Sequence, residues 1–227
     1  VGTLRMIPKL CHFIWLGSPP PAWATANMET FRQFHPDWEV KLWEDVPDRF
    51  PTALRCRCDE NPIFSKKSNI IRYWLLSTYG GVYVDSDVIT FRSFNPLLKY
   101  TAFTYAWHQT KNACYNGVLG GQQGCAAFRF LVDVYMKREE QLSKHHTGRG
   151  ARLVHYCCSH GMMELLPAHY FNVLPEPEDC RKFWKASLTE RKILLDSTKS
   201  KWVDGVPPFG LHLFKTFREV GAPRASE

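Results

Sequence analysis

The chain has no stretch that approaches the ~20 consecutive apolar residues a membrane span requires, because charged residues or proline interrupt every apolar run. Its first residues, "VGTLRMIPKLCHFIWLG", start basic but offer neither a clean apolar region nor a small-residue cleavage site, so no secretory signal is read there. From these absences we expect a cytoplasmic protein; an anchor trimmed from the sequence would leave no trace in it. Met6, directly before "IPKL", is expected to be the native start, with residues 1–5 additional. Internal repeats and low-complexity tracts are absent too. A content of 44% apolar and 14% aromatic residues excludes an intrinsically disordered chain.

A disulfide framework is also missing. Of the eight cysteines, Cys56 and Cys58 are one residue apart, Cys157 and Cys158 are adjacent, and the others are scattered in apolar context. Without an export signal, reduced core thiols are expected. The segment "HYCCSHG" (155–161) lacks the second ligand pair that a structural zinc site requires, so zinc is not read there.

Acidic excess is the next absence: 29 basic against 22 acidic residues give a net charge of +7. This favours polyanionic partners only weakly. Basic residues cluster as "RCR" (55–57), "KHHTGRGAR" (144–152) and "KSK" (199–201), each of which read singly is a solvated face. Together they keep a nucleic-acid partner open. At 227 residues the chain is long enough for one large domain or two small ones.

Alternation of strand and helix patterns is what the sequence does contain. "IPKLCHFIWLG" (7–17) reads as a buried strand ending at Gly17, and "SPPPAW" forces an extended or turning connection. Residues 24–34 read as a helix stopped by His35-Pro36, and "WEVKLWED" (38–45) alternates like a strand. "FSKKSNIIRYWLLSTYGG" (64–81) reads as a helix with serine N-cap candidates and a Gly80-Gly81 stop. Ile71, Trp74, Leu75 and Thr78 share its sheet-facing side, and Ser65, Asn69 and Arg72 form another stripe. Such alternation predicts an α/β layered domain with a mainly parallel sheet.

"VYVDSDVITF" follows the glycines. If it is extended, Val82 and Val84 point one way and Tyr83, Asp85 and Asp87 the other, at the carboxyl end of a strand. Ligands bind at that end of open α/β sheets. Two carboxylates this close repel unless a cation or proton lies between them, and Mn2+ or Mg2+ held on a diphosphate is such a cation. An isolated Asp-x-Asp also marks many surface turns, so the pair by itself leaves both readings open.

The larger block "SNIIRYWLLSTYGGVYVDSDV" resembles the signature of the glycosyltransferases with a sugar-binding region containing the DXD motif. That grouping includes fungal initiating mannosyltransferases (glycosyltransferase family 32) and, as relatives, clostridial glucosylating toxins. Ser68, Arg72, Tyr73, Tyr79, Gly80, Gly81, Tyr83, Asp85 and Asp87 meet the pattern. "IPKLCHFIWLG" is similar to the family's start, and "GLHLFKTF" (210–217) to its terminal histidine block. The resemblance implies a GT-A type, Rossmann-like fold in a single domain over 1–227. Residues 1–110 would form the nucleotide-sugar half, and 111–227 the acceptor side with the C-terminal metal segment.

It further implies a metal-dependent transferase that moves a hexose from a nucleotide-sugar, UDP-sugar favoured, to a hydroxyl acceptor with retention. The acceptor expected from the family is a glycan. Trp15 would stack on the base, Ser68 and Arg72 would bind donor sugar or phosphate, and Tyr83 would lie against the nucleotide. Asp85 would contact ribose, sugar or metal, and Asp87 would ligate Mn2+ or Mg2+ with His212. Asn116 and Gly117 would meet donor sugar or acceptor. Asn69 stands where the family usually has aspartate, which bears on donor choice, and "KTF" replaces a frequent tryptophan ending. Other readings are glycosylation of hydroxymethylated bases in phage or viral DNA, a phosphohydrolase or nuclease, and a silent sugar-binding module.

Overall fold

The computed structural model describes residues 5–108, 111–137, 150–172, 182, 188–198, 202 and 205–213. Residues 1–4, most of the basic cluster at 144–152, the "KSK" cluster and the "FKTF" end of the terminal block lie outside these.

Strand β1 (Leu10–Ile14) is followed by helix α1 (Ala22–Phe34) and strand β2 (Glu39–Trp43). The strand expected over 7–17 is thus shorter, because Pro8 and the turn at Gly17 trim it. Helix α1 begins just after Pro21, whose fixed φ suits the residue before a first turn. Helix α2 (Thr52–Asp59), not anticipated from the sequence, precedes α3 (Phe64–Tyr79). The serine caps predicted for α3 are not used. Ile63 occupies the N-cap without a side-chain bond, and the Ser68 hydroxyl donates back to the Phe64 carbonyl at 3.0 Å.

Gly80 ends α3 as expected, at φ 69°, a backbone region where glycine carries no Cβ penalty. Its carbonyl accepts from Nε2 of the buried His12 at 2.9 Å, and Trp43 Nε1 donates to His12 Nδ1 at 3.2 Å. Neighbouring strands therefore clamp the helix stop.

The chain continues through β3 (Gly81–Val84), β4 (Val88–Thr90), β5 (Ala102–His108) and the long β6 (Lys111–Gly121). Helix α4 (Ala126–Met136), α5 (Gly150–Ser159), β7 (Glu164–Leu166), α6 (Leu188–Ser197) and β8 (Gly210–His212) complete the described elements. The main sheet runs β2-β1-β3-β6-β5-β7. Only β6 opposes the common strand direction, pairing antiparallel with β3 and β5. The expected mainly parallel α/β sheet is thereby found. Strands β4 and β8 form a separate antiparallel pair.

Two apolar layers cover the sheet. One joins α2, α3, α4 and α5 to residues such as Tyr83 and Leu119, and the other joins α1 to Val82, Val84 and Phe94. Tyr83 and the two valines therefore face opposite sides, as period-2 alternation predicts. Helix α3 is buried from Ile70 to Leu76, since α2 and α4 pack beside it as well as the sheet. Arg72 is carried into the interior by that burial. Among the described residues no helix is long and apolar enough to cross a membrane.

Candidate functional site

The extended reading of "VYVDSDVITF" needs correction. Strand β3 stops at Val84, the chain turns, and Val88 N–H donates to the Asp85 carbonyl at 3.0 Å before β4 begins. Asp85 and Asp87 thus lie in a turn and also converge on a third group. His212 Nε2 lies 3.1 Å from Asp87 Oδ1 and 3.8 Å from Asp85 Oδ2. Ligand atoms from all three residues fall within 4.8 Å of one another, and among the described residues no other such cluster occurs.

His212 arrives on β8, whose pairing sets it opposite Val88. Leu213 N–H donates to the Asp87 carbonyl at 3.0 Å, and His212 N–H to the Phe171 carbonyl at 3.0 Å. On the far side of the ring, Nδ1 shares a hydrogen bond with the Tyr105 hydroxyl of β5. Gly117 of β6 leaves the space the ring occupies: a Cβ there would come 2.6 Å from His212 Cε1 and 3.1 Å from Asp85 Oδ2. Its carbonyl accepts from Asp85 N–H at 2.7 Å.

Arg72 organises the other flank. Its guanidinium lies 4.2 Å from the Tyr83 ring centre and forms an ion pair with Asp85 Oδ1 at 3.2 Å. Nε donates to the Ser68 carbonyl at 3.2 Å and Nη1 to the Asn116 carbonyl at 2.5 Å. The Tyr83 hydroxyl donates to the same Asp85 Oδ1. Asp85 Oδ1 is therefore engaged from within, while Oδ2 faces His212. Asn116 Nδ2 donates to Asn69 Oδ1 at 2.9 Å, and Gly150, the first residue of α5, lies against both amides.

The electrostatics follow from burial working against close charges. Burial, together with Asp87, raises the Asp85 pKa although Arg72 and His212 pull it down. Burial also disfavours charge on His212, but Asp87 and Asp85 outweigh it and raise its pKa. Arg72 is likewise held above its ordinary value, against burial, by Tyr83 and Asp85. Two carboxylates and one imidazole around a common point suit a divalent cation of the Mn2+ or Mg2+ type. The Tyr105 bond to Nδ1 matches the second-partner pattern of metal-ligating histidines, and Nε2 is the atom turned toward the two carboxylates.

Of the residues proposed from the sequence, Ser68, Asn69, Arg72, Tyr83, Asp85, Asp87, Asn116, Gly117 and His212 are brought to this one sheet end. Trp15 lies past the end of β1 in the layer shared with α1, packed edge-on against Trp23 at 5.6 Å. Sequence reasoning missed Tyr105, since an aromatic within an apolar strand carries no local mark of a polar task. Two arginines of the "RCR" cluster have local partners. Arg55 donates to the Pro47 carbonyl at 3.1 Å and Arg57 pairs with Glu60 at 3.6 Å.

Residues 21–104 match the model of the glycosyltransferase sugar-binding region containing the DXD motif. The chain is 32% identical over 125 residues to inositol phosphoceramide mannosyltransferase 3 of Schizosaccharomyces pombe, covering 52% of this chain and 34% of that one. A mannosyl phosphorylinositol ceramide synthase of Saccharomyces cerevisiae is 33% identical over 106 residues, covering 44% and 28%. An uncharacterized glycosyltransferase of Acanthamoeba polyphaga mimivirus is 22% identical over 159 residues, covering 65% and 63%. The chain spans about a third of the length of the two fungal relatives.

Among solved structures, the PaToxG glycosyltransferase superposes with a TM-score of 0.55 at 14% identity, over 69% of this chain and 70% of that one. A glycosyltransferase involved in glycosylation of the major capsid of PBCV-1 gives 0.51 at 12%, over 93% and 97%. The fold is that of GT-A glycosyltransferases, and the resemblance to the DXD-motif group holds.

Proposed function

We propose that this protein is a metal-dependent glycosyltransferase that moves a hexose from a nucleotide-sugar to a hydroxyl acceptor. The convergence of Asp85, Asp87 and His212 beside the buried Arg72, at the carboxyl end of β3, carries the reading. A bound Mn2+ or Mg2+ would supply positive charge to the diphosphate leaving group. Asp85 Oδ2, Asp87 and His212 Nε2 are the atoms that would hold it.

The chain's own residues do the remaining work. Arg72 and the Tyr83 hydroxyl fix one oxygen of Asp85, so its second oxygen is presented in one orientation. Ser68, Asn69, Asn116 and Gly117 form the polar wall against which the sugar would rest. Low exposure of Arg72, Asp87 and His212 keeps water from screening their charges. Trp15 is assigned to the nucleotide end, an assignment that rests on the resemblance alone.

Finer features belong to the same proposal. A UDP-sugar is the first donor to try and a mannose donor the second, the latter from the fungal relatives' names. A glycan acceptor, retention of anomeric configuration and a cytoplasmic site of action complete it. Residues 1–110 would serve the nucleotide-sugar, and 111–227 the acceptor side together with the C-terminal metal segment that carries His212.

The test is a panel of nucleotide-sugars with Mn2+ or Mg2+, scored for nucleoside diphosphate release, with Asp87→Ala as control. Release from one donor that the variant loses is expected. Absence of turnover with every donor, or equal turnover by the variant, would sink the proposal. Product NMR decides retention: a β-linked product from an α-linked donor would overturn it.

A further inference from the structure

At the end of the β4–β8 pair away from His212, a cavity of about 210 Å3 is lined by Arg92, His169, Tyr170, Trp202 and the chain from Val206 to Pro208. Backbone bonds fix its walls. Phe91 N–H donates to the Phe209 carbonyl at 2.9 Å, which sets Arg92, just past β4, beside the residue that precedes β8. Phe209 N–H donates in turn to the Tyr170 carbonyl at 2.9 Å, and the single 3-10 turn Ala168–Tyr170 carries His169 to the same place. The Trp202 indole is anchored by Nε1, which donates to the Thr198 hydroxyl at 3.2 Å.

Arg92 is held in place without being paired. Its guanidinium carbon lies 3.6 Å from the centre of the Phe209 ring, and Tyr170 packs against that ring at 5.0 Å. A guanidinium stacked on an aromatic face keeps its N–H donors in one plane along its edge. Arg32, Arg55, Arg57 and Arg72 each meet a carboxylate or a carbonyl. Among the described residues Arg92 meets neither, and its Nε is enclosed with no acceptor. His169 brings a second nitrogen base to the same cavity. Burial and the Arg92 charge lower the His169 pKa, burial lowers that of Arg92, and no described carboxylate counters either. Two bases gathered over aromatic walls with no acid between them suit an oxyanion, as Asp85 and Asp87 suit a cation.

We propose that Arg92 and His169 form a binding site for a phosphate group, taken either as free inorganic phosphate or as the monophosphate of a small organic molecule. The phosphate oxygens accept from the Arg92 fork and from His169, and a short organic group would lie along Trp202 and Tyr170. This site stands apart from the acid cluster and does not depend on the transfer reaction. Three residues of extended chain, roughly 10 Å, separate Phe209 from His212. A phosphate shared by Arg92 and His169 ties the segment after β4 to the turn that holds Phe209. The same turn leads into Phe171, whose carbonyl accepts from His212 N–H. The occupied site therefore secures the β4–β8 pair from the end opposite the carboxylates.

The full chain, kept in a chelator so that no metal bridges phosphate to the acid cluster, is titrated with inorganic phosphate and separately with glycerol 3-phosphate. Calorimetry and phosphorus NMR read the binding. Saturable one-to-one binding is expected, weakened roughly 10- to 100-fold in Arg92→Gln and retained in Asp87→Ala. Tighter binding of glycerol 3-phosphate assigns the site to a phosphorylated organic ligand; equal or tighter binding of inorganic phosphate assigns it to the free anion. Circular dichroism checks that each variant folds. Should Arg92→Gln fail to fold, His169→Gln, which should also weaken binding, takes its place. Lack of saturable binding by either probe, wild-type affinity in the folded variant, or loss of binding in Asp87→Ala would each overturn the proposal.

Discussion

The imidazole of His212 is held between two oxygens of opposite kind: Asp87 Oδ1 lies 3.1 Å from Nε2, and the Tyr105 hydroxyl bonds Nδ1. A ring fixed at both nitrogens has one orientation. The side of the ring that faces the carboxylates is therefore set by the fold.

Removing the Asp87 carboxylate takes away one donor and leaves the His212 ring without its acidic partner. Asp87→Ala should lower turnover roughly 100- to 1,000-fold, the loss typical of one charge-stabilising group in an active site. Mn2+ binding, measured by calorimetry, should weaken in parallel. Full activity with undetectable metal binding would refute the assignment.

Tyr105→Phe removes one hydroxyl and no bulk. We expect metal affinity to fall about 10- to 100-fold, as for other lost partners of ligating histidines, with thermal stability little changed. Unaltered Mn2+ affinity would mean that Tyr105 does no more than fill the core.

Gly117→Ala places a methyl 2.6 Å from His212 Cε1. The ring has to move, so activity and metal binding should collapse, while overpacking costs about 1–3 kcal/mol of stability in urea unfolding. A variant with wild-type kinetics would show that the ring is free to shift.

Acid should destabilise the fold through His12 and His35. Burial lowers both from 6.5 to about 4, against the carbonyls of Gly80 and Phe31 that favour their protonated forms. Each folded pKa lies below the unfolded one, so the unfolded chain binds more protons in this window. Stability is complete above about pH 6.5 and falls as pH drops toward 4, by roughly 3 kcal/mol for each histidine. Urea unfolding at pH 7.5, 5.5 and 4.5 tests this; a flat profile would contradict it.

Asn69→Asp restores the residue type that the resembling family carries. The introduced carboxylate would still accept from Asn116 but would add negative charge near Asp85 and Arg72. The expected result is a changed preference among donor sugars, read as a shift in donor KM larger than that in kcat. Identical ranking across the donor panel would remove Asn69 from the specificity argument.

Local chemistry makes much of this legible. The α3 pattern, the Gly80 stop and the alternation through Tyr83 depend on neighbouring residues, and they stand where the sequence puts them. The start of α3 departs from expectation because its serines bond back along the helix or stay exposed and do not cap it. The Asp-Ser-Asp segment, expected to be extended, turns. Its turn is held by β8 from the far end of the described chain, a partner no local pattern can announce. For the same reason, the turn and the candidate cation cluster fall on the same residues, where the sequence poses them as alternatives.

Strands β4 and β8 are three residues each and pair with one another outside the main sheet. A segment held by so few backbone bonds opens locally at little cost. An ion bound to Asp85, Asp87 and His212 at a hundred times its dissociation constant would add ~2.7 kcal/mol against that opening. Amide hydrogen exchange at Leu213 would therefore report ion occupancy directly. The same ion would serve as a latch between the turn after β3 and the last described strand, its concentration setting how long β8 stays shut.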